Sequence, residues 1–262
     1  MGVTLTGFEA GEGAPLVVLH GLFGSARNWN TVAKRLGAGH RVHALDMRNH
    51  GGSPWSDDMG YADMADDVGG YMEDKVVGKG LGPVSLLGHS MGGKAAMVLA
   101  LTRPDMVRKL AIMDIAPVAY GHTQEHLIDA IESLDLSAVD RRSTADAMLA
   151  ERVDDPGVRA FLLQSLDLKS DPKAWRLNLP ALRDQMGQIL GWPEDLPKAG
   201  FSGPVLEIAG EWSDYLSEAG QAALREHFPQ ARVIRVKDAG HWLHADAPEA
   251  VAQILVSFLG EG

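Results

Sequence analysis

Short, nearly continuous apolar runs alternate with longer amphipathic stretches through the first 115 residues. Residues 15–20 (PLVVLH), 41–46 (RVHALD), 83–87 (PVSLL) and 107–115 (VRKLAIMDI) are runs of strand length with little internal polarity. They predict strands buried on both faces. Between them the apolar positions recur at helical spacing: Trp29, Val32, Ala33 and Leu36 ahead of Gly37, then Tyr61, Met64, Ala65, Val68 and Met72 on one face. Residues 93–101 (GKAAMVLAL) are rich in helix formers. Strand and helix in alternation predict an α/β fold, a mostly parallel sheet with helices on both faces.

The rhythm breaks after Ala116-Pro117 and returns at 203–210 (GPVLEIAG). In between lie helix signals and no convincing strand. Leu127, Ile128, Ile131 and Leu134 share a face; Ser143-Thr144-Ala145-Asp146 and Asp155-Pro156 resemble helix starts; Pro180 can open a helix ending near Gly191-Trp192-Pro193. The closing stretch reads as a helix over 219–227, a strand over 231–236, a loop over 238–244 and a helix from Pro248 with Val251, Ile254, Leu255 and Phe258 inward. Residues 1–116 and 203–262 thus form one core, and 117–202 an insertion. Its plainer reading is additional core helices; the favoured one is a helical lid over the sheet's edge. On that reading Trp175, Leu182, Met186 and Trp192 are the candidate pocket lining.

One junction carries chemistry. Gly88-His89-Ser90-Met91-Gly92 sits between the strand at 83–87 and the following helix, the context that makes G-x-S-x-G a nucleophile elbow. The turn must be sharp enough for the hydroxyl to stand clear of the backbone, and glycines at both ends remove the Cβ atoms that would clash. The helix start favours an anion near Ser90. A serine alcohol needs a base. His241 follows the last predicted strand, and in a parallel sheet the carboxyl ends of the strands share one side. His244 reads as a surface or hinge residue, and His89 as packing under the elbow. An oxyanion needs preorganised donors; the amide of Met91 is one, and the other is the amide of Leu22, or alternatively Phe23, in the loop after the first strong strand. The histidine also needs a carboxylate. Asp114 closes the strand next after the serine's; Asp214 lies in Gly210-Glu211-Trp212-Ser213-Asp214.

A net charge of −11 over 262 residues argues against nucleic acid and acidic membranes as partners. The absence of cysteine removes disulfides, thiol nucleophiles and thiolate metal sites. The opening MGVTLT lacks a basic region followed by an apolar one, and no apolar run is long enough to span a bilayer. The expectation is a soluble, cytoplasmic protein without membrane insertion.

The stretches LHGLFGS (19–25), RNHG (48–51), GHSMGGKA (88–95), DIAP (114–117) and AGHWLHA (239–245) resemble α/β-hydrolases over nearly the whole chain, and more closely bacterial esterases of the YbfF type. The resemblance implies an α/β-hydrolase fold. It also implies a Ser-His-Asp serine esterase, without metal or organic cofactor, that cleaves short- to medium-chain acyl esters or thioesters through an acyl-enzyme. In most of the family the acid stands in a G-x-x-D arrangement after the next-to-last strand, where this chain has Ser213, with Asp214 one position late. YbfF-type esterases are expected to use the DIAP aspartate, here Asp114, with Ser213 as an auxiliary. A serine nucleophile disfavours dehalogenase and epoxide-hydrolase chemistry, which needs a carboxylate. A cofactor-free perhydrolase or carbon–carbon bond hydrolase could use the same triad, and a non-catalytic binding protein could share the fold.

Overall fold

The computed structural model describes residues 2–260. In chain order the elements are β1 (Thr6–Ala10), β2 (Ala14–Leu19), α1 (Asn30–Leu36), β3 (His40–Asp46), α2 (Tyr61–Lys75), β4 (Val84–His89), α3 (Met91–Thr102) and β5 (Val107–Met113). Then come α4 (Glu125–Glu132), α5 (Arg142–Leu149), α6 (Pro156–Leu162), β6 (Leu166–Asp167), β7 (Ala174–Trp175), α7 (Leu179–Asp184) and α8 (Met186–Leu190). The chain closes with β8 (Val205–Gly210), α9 (Glu218–His227), β9 (Arg232–Val236), α10 (Leu243–Asp246) and α11 (Pro248–Gly260).

Seven strands form the main sheet in the order β1-β3-β2-β4-β5-β8-β9. Every neighbouring pair is parallel except β1 with β3. Successive side chains on a strand face opposite ways, and the core divides accordingly. Val17, Leu19, Leu86 and Ile112 pack with α2 and α3, while Leu16, Val18, Leu87 and Ala111 pack with α1 and α11. This two-sided burial makes the central strands read as continuous apolar runs.

Four features depart from the sequence reading. Edge strand β1 is mostly exposed or half-buried, so it has no apolar run; pairing with β3 defines it. The segment between β5 and β8, expected to be free of strands, holds the two-residue pair β6–β7, too short to show a period. The single helix expected from Pro180 is two, α7 and α8, and one turn of helix, α10, begins inside the loop expected at 238–244.

The segment between β5 and β8 is tied to the core along its length. Ile128, Ile131, Leu162 and Leu177 join the α2/α3 side of the core. Ser165 Oγ donates to the Phe23 carbonyl (2.8 Å), the Gly51 amide to the Arg176 carbonyl (2.9 Å) and the Asn178 amide to the Asn49 carbonyl (3.0 Å). Beneath them Arg48, fully buried, makes two bonds to Asp67 through Nε (2.6 Å) and Nη2 (2.9 Å).

Candidate active site

Between β4 and α3 the backbone turns at Ser90, with φ 52° and ψ −121°, a conformation that a side chain rarely adopts without enforcement by its surroundings. The enforcement is close packing. A Cβ on Gly88 would lie 2.2 Å from the Gly92 carbonyl oxygen, and one on Gly92 would lie 2.6 Å from that of His20. The Ser90 amide is held by the Met113 carbonyl (3.0 Å).

Three side chains from distant stretches meet here. His241 Nε2 lies 3.1 Å from Ser90 Oγ, and His241 Nδ1 lies 2.7 Å from Asp114 Oδ2. Asp114 directly follows β5, at φ 54°, and is wholly buried. Its Oδ1 accepts the Gly210 amide (2.9 Å) and its Oδ2 also accepts the Ser213 hydroxyl. A carboxylate only accepts, so Nδ1 carries the imidazole proton and Nε2 faces the serine as an acceptor. Asp214 is exposed on the neighbouring loop; its hydroxyl neighbour Ser213, rather than Asp214 itself, bonds to the buried carboxylate. Beneath Asp114, Glu207 is fully buried, and burial followed by the Asp114 charge pushes its carboxyl well above the usual range.

The histidine is set among rings. Tyr215 stacks on it with centroids 4.0 Å apart. His89 lies at 4.7 Å, and its Nε2–H donates to the His241 carbonyl (2.8 Å). His244, expected at the surface, is only 8% exposed and stacks on Trp29. Burial, then the nearby His241, moves His89 well below the ordinary imidazole value and His244 down to about 4.

The amides of Leu22 and Met91 have no hydrogen-bond acceptor among the described residues, and both residues line the cavity over Ser90. The alternative donor fails: the Phe23 amide is already donated to His50 Nε2 (3.1 Å). The sequence reading assigned no role to that histidine or to the ring of His20 beside it, although both lie in its family-like stretches. His50 Nδ1–H donates to the Arg48 carbonyl (2.8 Å). His20 Nδ1–H donates to the Gly21 carbonyl (2.8 Å), and its Nε2 accepts the Met47 amide (2.9 Å). Each ring needs one bare nitrogen for this, and burial supplies it by lowering His20 to about 4 and His50 to about 3. The RNHG stretch was the available signal.

The cavity has a volume of about 200 Å³. Leu22, Met91 and Ile115 line it from the sheet side, and Leu127, Phe161 and Ile189 from the segment between β5 and β8. None of the four expected lining residues is among them. Leu182 and Met186 are buried in the core shared with α2 and α3, and Trp175 and Trp192 are half-buried against that core. Apolar side chains in this segment both fill the core and face the cavity, and their spacing does not separate the two uses. Lys94, one turn along α3 from Ser90, also lines the cavity. Its Nζ donates to the carbonyls of Leu190 (3.0 Å) and Gly191 (2.6 Å) and lies 4.6 Å from the Tyr120 ring centroid. Burial pushes its amine down to about 7.

Among the described residues no group of three or more histidines and carboxylates is arranged to hold a metal ion. Among them, too, no helix is long and apolar enough to cross a membrane.

A family model described as the alpha/beta hydrolase fold matches residues 14–248. The chain is 39% identical over 252 residues to the sn-1-specific diacylglycerol lipase ABHD11 of Mus musculus, covering 93% of this chain and 80% of that one. It is 38% identical over 250 residues to esterase YbfF of Escherichia coli, covering 95% and 94%. The solved structure of a marine microorganism esterase superposes with a TM-score of 0.91 at 34% identity, over 98% of this chain and 99% of that one.

Proposed function

The chain belongs to the α/β-hydrolase family and is a carboxylic ester hydrolase, and from that premise we propose that it cleaves short- to medium-chain acyl esters or thioesters with a Ser90–His241–Asp114 triad. The observation that carries the reading is the continuous line of hydrogen bonds from Asp114 through both ring nitrogens of His241 to Ser90.

In this mechanism Ser90 Oγ attacks the carbonyl carbon as its proton passes to His241 Nε2. Asp114 stabilises the imidazolium, and its bonds from Gly210 and Ser213 hold the carboxylate in orientation. The oxyanion lies between the amides of Leu22 and Met91, at the positive end of α3. His241 then protonates the leaving atom, the acyl group remains on Ser90, and water repeats the sequence to release the acid. The acyl chain occupies the apolar cavity, and residues 117–202 act as its lid through Leu127, Phe161 and Ile189.

A fluorophosphonate probe tests the nucleophile. A single adduct on Ser90 in folded protein, absent from Ser90→Ala, is the expected result; no adduct would reject the serine-hydrolase reading. A graded series of nitrophenyl esters tests the lid. Ile189→Trp should shorten the preferred acyl chain, whereas Met186→Ala, behind the cavity wall, should lower stability by about 2–5 kcal/mol and leave the profile in place. An unmoved profile in Ile189→Trp would reject the cavity as the acyl site.

A further inference from the structure

A second cavity meets the first at the catalytic histidine. Phe161, His241 and Trp242 line both. The rings of Phe161 and Trp242, 5.7 Å apart, form the partition. The second cavity is a groove of about 810 Å³, and its chemistry differs from that of the apolar pocket.

The charged side chains lining the groove are Asp155, Asp238 and Asp246; no lysine or arginine lines it among the described residues. Asp246 Oδ2 accepts the Gly240 amide (2.9 Å), and Asp155 caps α6 through the amides of Gly157 and Val158. Asp238 is exposed. Two indoles also line it, Trp242 and Trp212, the latter 67% exposed. His244 also lines the groove, more than nine-tenths buried, and its Nδ1 has no partner. Burial keeps this ring uncharged at neutral pH, so it does not offset the carboxylates.

The reaction sorts the two cavities. Ser90 and the two unpaired amides open onto the apolar pocket, which therefore holds the acyl chain. The leaving atom must face His241, from which it takes its proton, and the groove begins there. We propose that this groove is the leaving-group subsite and selects by charge, favouring alcohols or thiols that carry a quaternary ammonium and disfavouring polyanionic ones such as coenzyme A. The proposal rests on the triad reading above. Low-dielectric walls focus the field of carboxylates of one sign, indole faces attract a cation electrostatically, and the phosphates of coenzyme A would meet only repulsion. The step is ordinary acyl transfer: the Ser90 Oγ–acyl bond forms, the acyl–sulfur or acyl–oxygen bond breaks, and the serine proton leaves on the departing atom by way of His241.

The test uses three butyryl thioesters with one acyl group: butyrylthiocholine, S-butyryl-N-acetylcysteamine and butyryl-coenzyme A. The ratio of kcat/KM for the first to that for the last is measured in the wild type and in Asp155→Asn/Asp238→Asn, so that intrinsic thiol reactivity cancels. Asparagine preserves the helix cap at 155 and tolerates the positive φ of Asp238. The ratio should fall on the order of tenfold in the double variant, chiefly through KM, and fall similarly in the wild type as salt is raised. Asp238→Asn alone should move it in the same direction, and serves if the pair does not fold. A ratio unmoved by both substitution and salt overturns the subsite while fluorophosphonate labelling of Ser90 upholds the triad. Loss of labelling overturns the triad and the subsite with it.

Discussion

His241 is held in place by contacts that differ in kind. Asp114 fixes its tautomer, Tyr215 covers one face, and His89 bonds its backbone carbonyl. His89 and His244 are buried and stay uncharged, so in the proposed mechanism the Ser90 proton has one destination in this cluster. His241→Ala should lower turnover by several orders of magnitude. His244→Ala removes a ring stacked on Trp29 and should cost about 1–2 kcal/mol of stability with a far smaller loss of turnover. Comparable losses of turnover in both, measured beside denaturant unfolding, would mean that the two rings share the role. Ser90 and His241 were legible in the sequence because local pattern places them: a glycine-bounded serine between strand and helix, and a histidine just past the last strand. The supporting rings were not legible: His20, His50 and Tyr215 act through contacts between stretches far apart in the chain.

Elements were legible where burial is two-sided. β2, β4, β5 and β8 are buried along most of their length and read directly as strands, whereas β1 reads as nothing because its environment is mixed. The segment between β5 and β8 could be recognised as helical, but its cavity-facing side could not. Besides the shared core, Lys94 links that segment to α3 through hydrogen bonds to the carbonyls at the end of α8. Burial lowers its amine to about 7, against 10.5 when free. Between those two values the unfolded chain binds more protons than the folded one, so stability conferred through Lys94 rises with pH across that window. Below about pH 7 both states are protonated, and the folded one bears the full cost of a desolvated ammonium. The stability difference between the wild type and Lys94→Met, from urea unfolding at neutral and alkaline pH, should therefore shift in favour of the wild type as pH rises from about 7 to 10. A constant difference, or the opposite trend, would show that Lys94 is not desolvated as its position indicates.

At the scale of the molecule, sheet order brings the site together. β5 lies between β4 and β8, so Asp114, the residue that follows it, is beside the serine's own strand and within reach of the loop that carries His241. A carboxylate there reaches the histidine with no long excursion of the chain, and the position after β8, where the family commonly puts its acid, is left to Ser213. Two candidate acids remained open in the sequence because neighbouring strands cannot be identified from order along the chain alone. Paired kinetics of Asp114→Asn and Asp214→Asn on one nitrophenyl ester, with folding checked by circular dichroism, test this arrangement most directly. Asp114→Asn should lose on the order of 10⁴ in kcat, while Asp214→Asn, at an exposed side chain, should stay within a few-fold of the wild type. A crippled Asp214→Asn beside an active Asp114→Asn would contradict the account.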